Sequence, residues 1–418
     1  MKKTDLTGDT NQQVDHLFRE VSGKVVALLA RQFGNHLIES VVDSVQDAFE
    51  SALMKWRFSG IPDNPGAWIL TVARRKLLNR IRKDDRSFSM NIADQHLEQN
   101  VEIYPSESVV IDSQLELLLA CVNLPLSQRD RIITTLHILC GFSTGELAKA
   151  MGLHFEAVRK NLYRNKQKLA ADTSWHMTRT FETLKDSAAS AIFDVLYALF
   201  NEGYKSSKLN QNLDIALCYE ALRLLKLVMG KYEVSEGHAL MALFYFHLSR
   251  FPARIDARGE WLTLEHQDRS LWDQDLMKAG FKHLDLSRSD GSDNTRILEA
   301  VIASLHIISP SFDQTPWDKI EALYKRWYFM DGENSMIQLQ ALTAAIYHRP
   351  SFSLAEDIEK LRGALATDQQ YLIDATLAAL FEKMNASSKQ KYHLEQAIKK
   401  CENRWDKNLL EKKFNQKK

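Results

Sequence analysis

NPGAWILTVARRKLLNRIRKDDR, residues 64–86, combines a helix start, an apolar stripe and a dense cationic face. Asn64 can cap a helix, and Pro65 suits its first turn, where a missing N–H costs nothing. Trp68, Val72 and Leu78 fall at helical spacing and predict the core-facing stripe. Seven cations, Arg74, Arg75, Lys76, Arg80, Arg82, Lys83 and Arg86, then crowd the distal half against Asp84 and Asp85. A solvated face explains many such runs, so the charge points toward nucleic acid without deciding for it.

The rest of the chain is ordinary in composition. Its 418 residues are 45% apolar, enough for about two to three domains with real cores. Formal net charge is zero, yet the distribution is blocky: residues 91–120 hold six acids, Asp94, Glu98, Glu102, Glu107, Asp112 and Glu116, and no Lys or Arg. Cys121, Cys140, Cys218 and Cys401 stand far apart with no C-x-x-C pair, which argues against a zinc knuckle or a disulfide framework and fits a reducing, cytoplasmic setting. The amino terminus lacks an apolar secretory core, and the longest apolar stretch, residues 188–200, is too short to span a bilayer and carries Asp194. No membrane segment is expected.

Period-two β-branched runs are missing, Gly and Pro number only 16 and 8, and helical periodicity recurs throughout, so the chain reads as all-α. The first helical domain is placed at 11–86, with helices from about Val14 to Phe33 and from Leu37 to Trp56, the loop RFSGIPDNPG at 57–66, and the basic helix. An acidic linker at 87–111 leads to a second domain at 112–171. There Ser143 and Glu146 have capping-box spacing. A turn at 151–153 follows, and Ala148, Gly152, Val158 and Leu162 lie where a helix-turn-helix needs close approach, a tight turn and apolar packing. Its second helix carries Arg159, Lys160, Arg164, Lys166 and Lys168, as a recognition helix would.

These segments resemble the sigma-70-type RNA polymerase sigma factors of the bacterial extracytoplasmic-function class, which retain only regions 2 and 4. VVDSVQDAFESAL at 41–53 looks like region 2.2, residues 64–83 like the end of region 2 that meets the −10 element, and residues 124–169 like region 4. The resemblance implies core RNA polymerase, through its β′ clamp helices and β flap, and promoter DNA as partners. It places polymerase contacts on Asp43, Gln46, Asp47 and Phe49, and −10 contacts on Arg57, Phe58, Asn64, Arg74, Arg75, Asn79, Arg80 and Lys83. Contacts to the −35 element fall on His154, Phe155, Glu156, Arg159, Lys160 and Arg164. Ser40 and Ser44 stand where acids are common in the family, and His154-Phe155 replaces the usual Ser or Thr at the recognition-helix start.

Residues 180–418 predict a helical array at 188–204, 213–230, 235–248, 269–287, 295–308, 316–330, 335–347, 354–365, 371–384 and 389–402. Stacked helix pairs of TPR-like type are expected, although no strict repeat is visible. FNEGY at 200–204 and DARGEWLTLEHQDRSLWD at 256–273 are similar to the extension found in one subgroup of these sigma factors, and such an array offers a surface for a protein partner. No nucleophile–base signature, metal-ligand spacing or glycine-rich phosphate loop occurs, so neither catalysis nor a metal or other cofactor is expected. The alternative reading is a conventional helix-turn-helix regulator whose array senses a ligand or peptide. A polymerase-docking segment and a melting surface separate the two readings, because a conventional regulator needs neither.

Overall fold

A computed structural model of the protein describes residues 6–84, 104–150, 153–171, 186–204, 215–256, 262–289, 291, 293–402 and 404–415. These are all-α: eighteen α-helices and short 3-10 turns, with no strand among the described residues. None of the described helices is long and apolar enough to cross a membrane. The chain divides into two compact units, residues 1–233 and 234–418. The segments expected at 11–86 and 112–171 lie within the first unit, together with the first two helices expected in the array.

In the first unit, α1 (Leu6–Phe33) is the hub. From Val21 to Ala30 every residue except Lys24 is buried, which requires neighbours around much of its circumference. α2 (Ile38–Ser59) and α3 (Pro65–Asp84) pack on it, and so do α4 (Glu107–Asn123) and α5 (Gln128–Cys140). The α1–α5 approach is close because Gly23 has no side chain: a Cβ there would lie 1.8 Å from the Leu139 carbonyl oxygen. α5 is capped by Ser127, whose Oγ accepts from Asp130 N at 3.2 Å, and ends at Gly141 in the left-handed region with φ 68°.

Next come the short α6 (Thr144–Ala150) and α7 (Phe155–Ala171), then α8 (Asp186–Tyr204) and α9 (Ile215–Met229). α8 packs on α4 and α5, and α9 packs on α8. Arg223 of α9 donates to Gln114 Oε1 of α4 at 3.3 Å, and Lys231 pairs with Asp112 at 3.6 Å. These contacts explain why the first two array helices fall in the N-terminal unit. Cys121, Cys140 and Cys218 of this unit and Cys401 of the other are all buried and free.

The second unit begins with α10 (Ser235–Ser249), α11 (Gln274–Leu286), α12 (Thr295–Ile308), α13 (Trp317–Met330) and α14 (Ser335–His348). It continues through α15 (Ser353–Lys360), α16 (Tyr371–Lys383), α17 (Ser387–Lys400) and α18 (Arg404–Asn415). Consecutive helices pair: α13 with α14 and α16 with α17 across short turns, and α10 with α11 across the longer connection 250–273. Two of those turns use left-handed residues, Gly332 and Glu333 at φ 62° and 65°, and Asn385 at φ 56°. Each pair feeds a local apolar cluster, as with Ala239, Phe246 and Ala300 in one and Ile346, Ile358 and Leu377 in another.

Three array boundaries differ from the periodicity, one of them being the helix expected at 354–365, which ends at Lys360. The segment expected as one helix at 269–287 is a 3-10 turn, Arg269–Leu271, followed by extended Trp272 and then α11. Asp273 sets that start, because its Oδ1 accepts from Asp275 N and Leu276 N, both at 3.0 Å. α18 lies beyond the last helix expected in the array, which ended at 402, and its Leu410 and Phe414 join the apolar cluster of Leu394 and Ala397.

Candidate nucleic-acid interface

α3 starts as its sequence predicts. Asn64 Oδ1 accepts from Ala67 N at 2.9 Å, and Pro65 occupies the first helical position. Of the expected stripe Leu78 is buried, but the first two positions are shifted by one. Gly66, Ile69, Ala73, Leu77 and Leu78 are buried, whereas Trp68 and Val72 are only half-buried. Small residues set the register: Gly66 lets the Tyr104 ring lie where a Cβ would meet it at 3.2 Å. Trp68 takes the flank, 5.2 Å from the Trp56 ring, with Lys55 Nζ 5.7 Å from its own ring centre.

Fixing that stripe fixes the opposite face. Arg75, Asn79, Arg82 and Lys83 are exposed along it, and Arg74 and Arg80 are half-buried; burial lowers the Arg74 pKa. Arg57, Phe58 and Asn64 are exposed at the junction of α2 and α3, and the chain turns at Gly60 with φ 76°. Phe58 is 92% exposed. An aromatic ring so nearly immersed in water contributes little to the core and is available to a partner. Arg86 and the linker acids Asp94, Glu98 and Glu102 lie outside the described residues, while Glu107 opens α4.

On α2 the expected polymerase-facing residues divide. Asp47 accepts from Arg80 at 2.7 Å, and Asp43 lies 3.6 Å from the same guanidinium, so candidates from two different partner surfaces neutralise one another. All three side chains are more than a third exposed, so such pairs are worth about 0.2–1 kcal/mol each and are readily exchanged for another partner. Gln46 is exposed beside them. Phe49 belongs to the core instead: it is 4% exposed and meets Phe18 edge-on at 4.8 Å. It contributes to α1–α2 packing and presents no surface to a partner.

The helix-turn-helix segment also forms its predicted local bonds. Glu146 N donates to Ser143 Oγ at 3.2 Å while Ser143 N donates back to Glu146 Oε2 at 2.9 Å, the reciprocal capping box. Residues 151–152, including the expected Gly152 turn, lie outside the described residues. α7 buries Val158, Leu162, Asn165 and Leu169, and this leaves His154, Phe155, Glu156, Arg159, Lys160 and Arg164 exposed in its amino-terminal half. Arg159 pairs with Glu156 at 2.7 Å, and Arg164 donates to Asn161.

The carboxy-terminal half of α7 makes contacts that the sequence reading missed. Asn35, 3% exposed, donates to the Leu169 carbonyl at 2.7 Å, and Lys166 pairs with Glu39 of α2 at 3.3 Å. His137 of α5 sits near this junction, its Nδ1 2.7 Å from the Phe142 carbonyl oxygen. Burial lowers its pKa most, with the Phe142 carbonyl and Asp43 opposing and Lys166 adding to the shift. No local pattern announces such pairs, because their members are more than a hundred residues apart in the chain.

The geometry defines an all-α protein with two separate cationic helical faces, α3 beside an exposed aromatic and the start of α7. Residues 17–87 match the family described as Sigma-70 region 2, and residues 188–288 match a family of unknown function, DUF6596. The first match supports a sigma-70-type factor, a class that is not enzymatic and works with core RNA polymerase on promoter DNA. An uncharacterized protein of Rhizobium meliloti (strain 1021) is 28% identical over 314 residues, covering 72% of each chain. No solved structure matches the chain.

Proposed function

We propose that this chain is a transcription initiation factor of the extracytoplasmic-function type that binds core RNA polymerase, engages −10 and −35 promoter elements and helps to open the DNA. The observation that carries this reading is Phe58, immersed in water at 92% exposure at the end of α2, where the chain enters the cationic row of α3. Opening DNA costs stacking energy that a free aromatic can return, and phosphates need nearby cations. In this reading Phe58, Arg57 and Asn64 meet the unstacked −10 strand. Arg74, Arg75, Asn79 and Lys83 hold its backbone and edges, and Arg80 joins them once it leaves Asp43 and Asp47. His154, Phe155, Glu156, Arg159 and Lys160 read the −35 major groove, with Arg164 on phosphate. Asp43, Gln46 and Asp47 meet the β′ clamp helices, and region 4 meets the β flap. The factor acts in the cytoplasm, with domains at 11–86 and 112–171, an acidic linker at 87–111, and a regulatory TPR-like domain at 180–418 that offers a surface to a protein partner.

Two sets of variants test the surface together. Phe58→Ala should leave duplex binding unchanged and weaken binding to the single-stranded −10 strand by about 1–3 kcal/mol. Arg75→Gln combined with Lys83→Gln should instead flatten the dependence of log K on log salt for duplex by about 1.8, if both meet phosphate. Equal losses on duplex and single strand for Phe58→Ala, or an unchanged salt slope for the double variant, would remove these residues from the interface.

A further inference from the structure

One cluster in the second unit holds cations, donors and no acid. Arg250 follows the last residue of α10, Arg269 and Trp272 lie in the connection before α11, and His306 is in the last turn of α12. The guanidinium carbons of Arg269 and Arg250 lie 4.9 Å and 5.8 Å from the Trp272 ring centre. Their hydrogen bonds reach neutral acceptors: Arg250 Nε donates to Gln267 Oε1 at 3.1 Å, and Arg269 Nε donates to the Ser309 carbonyl at 3.0 Å. Among the described residues no carboxylate pairs with either guanidinium.

Three nitrogens of this cluster are covered from solvent and make no hydrogen bond: Arg269 Nη2, Trp272 Nε1 and His306 Nδ1. Trp272 is 3% exposed, so its indole N–H has no access to bulk water. Native proteins rarely leave such groups unsatisfied, and three together call for an acceptor. Electrostatics agrees. Burial, and then Arg250 and Arg269, push His306 down to about 4, so it is neutral near pH 7 and adds a ring nitrogen without a third charge. Burial and then Arg250 lower the Arg269 pKa as well. Arg269 does reach the carboxy-terminal end of α12, whose dipole supplies roughly half a negative charge. That leaves most of two positive charges without compensation.

We propose that Arg250, Arg269, Trp272 and His306 form a binding site for an oxyanion of the phosphate class, carried by a small molecule. A phosphate dianion matches both the charge deficit and donors that arrive from three different segments, whereas a planar carboxylate is best met by a single fork. Most of these residues fall within the matched region 188–288, the family without a known function. The site is independent of promoter binding and stands or fails apart from it.

Thermal unfolding of the full chain tests it, with inorganic phosphate, glycerol phosphate or acetate added and chloride as the ionic-strength control. Phosphate should raise the midpoint saturably above the chloride control, and acetate should not. Arg269→Lys, which keeps the charge but loses the fork, should weaken the apparent phosphate affinity by at least about tenfold. Arg250→Gln should do the same and serves if the first variant folds poorly. A matching rise with glycerol phosphate assigns the site to phosphate esters; a rise with inorganic phosphate alone assigns it to the free ion. A phosphate effect equal to that of chloride or acetate, or undiminished in both variants, overturns the proposal.

Discussion

Replacing Asp374 by alanine is expected to lower the unfolding midpoint of the second unit by about 6–20 °C, the consequence of losing about 3–5 kcal/mol in a domain of this size class. Its side chain is 2% exposed and meets two cations and an imidazole: Arg362 at 2.8 Å, Lys400 at 2.7 Å and His393 at 3.1 Å. These come from the turn after α15 and from α17, so one α16 carboxylate ties three segments together. Deleting it strands positive charge where water cannot fully reach, and this costs more than the pairs are worth net. Asp357→Ala, which removes an exposed partner of Lys360, should leave the midpoint unchanged.

The same carboxylate predicts a pH dependence. Burial alone would raise its pKa, but hydrogen bonds from His393, Arg362 and Lys400 hold it far below the usual carboxylate range. Because the folded value lies below the unfolded one of about 3.9, its contribution is fully present above about pH 5 and fades as the pH falls toward the folded value. The difference in stability between the wild type and Asp374→Asn should therefore be present at pH 5 and shrink from there toward pH 3. A difference that grows on acidification would contradict the assignment.

Gly23→Ala should destabilise the first unit by about 1–3 kcal/mol or more, against the usual direction for this change inside a helix. Alanine in an open helix interior gains about 1 kcal/mol over glycine. Here the new Cβ would sit 1.8 Å from the Leu139 carbonyl oxygen, backbone that cannot swing aside, so α1 and α5 must separate. Gly145, whose nearest atom is Ser143 Oγ at 4.0 Å, is the control and should tolerate alanine or gain from it. If urea unfolding showed Gly23→Ala to be stabilising, the close docking of α5 on α1 would be wrong.

Local chemistry was legible and long-range chemistry was not. The Asn64 cap, the Ser143–Glu146 box and most array helices follow from patterns spanning a few residues, where backbone donors, side-chain acceptors and apolar spacing act on their own neighbours. The phase of the first turns of the α3 stripe was missed because the large residues Trp68 and Val72 suggest it, while the buried positions are Gly66, which admits the Tyr104 ring, Ile69 and Ala73. Phe49 reads equally as a surface anchor or as core, and only the Phe18 ring across from it decides. Arg80 likewise looks like one more phosphate contact until α2 brings Asp43 and Asp47 beside it. The Arg250, Arg269 and Trp272 cluster carries no spacing motif, since Arg250 follows α10 while Arg269 and Trp272 lie some twenty residues on, before α11.

Run-off transcription with purified core RNA polymerase tests the central claim most directly. DNA fragments enriched for binding to this protein serve as templates. The account predicts defined transcripts only when both polymerase and this chain are present, with starts at a fixed distance from a shared −10 sequence. Folded protein that binds these fragments yet yields no transcript on any of them, or transcripts identical with and without the chain, would contradict it.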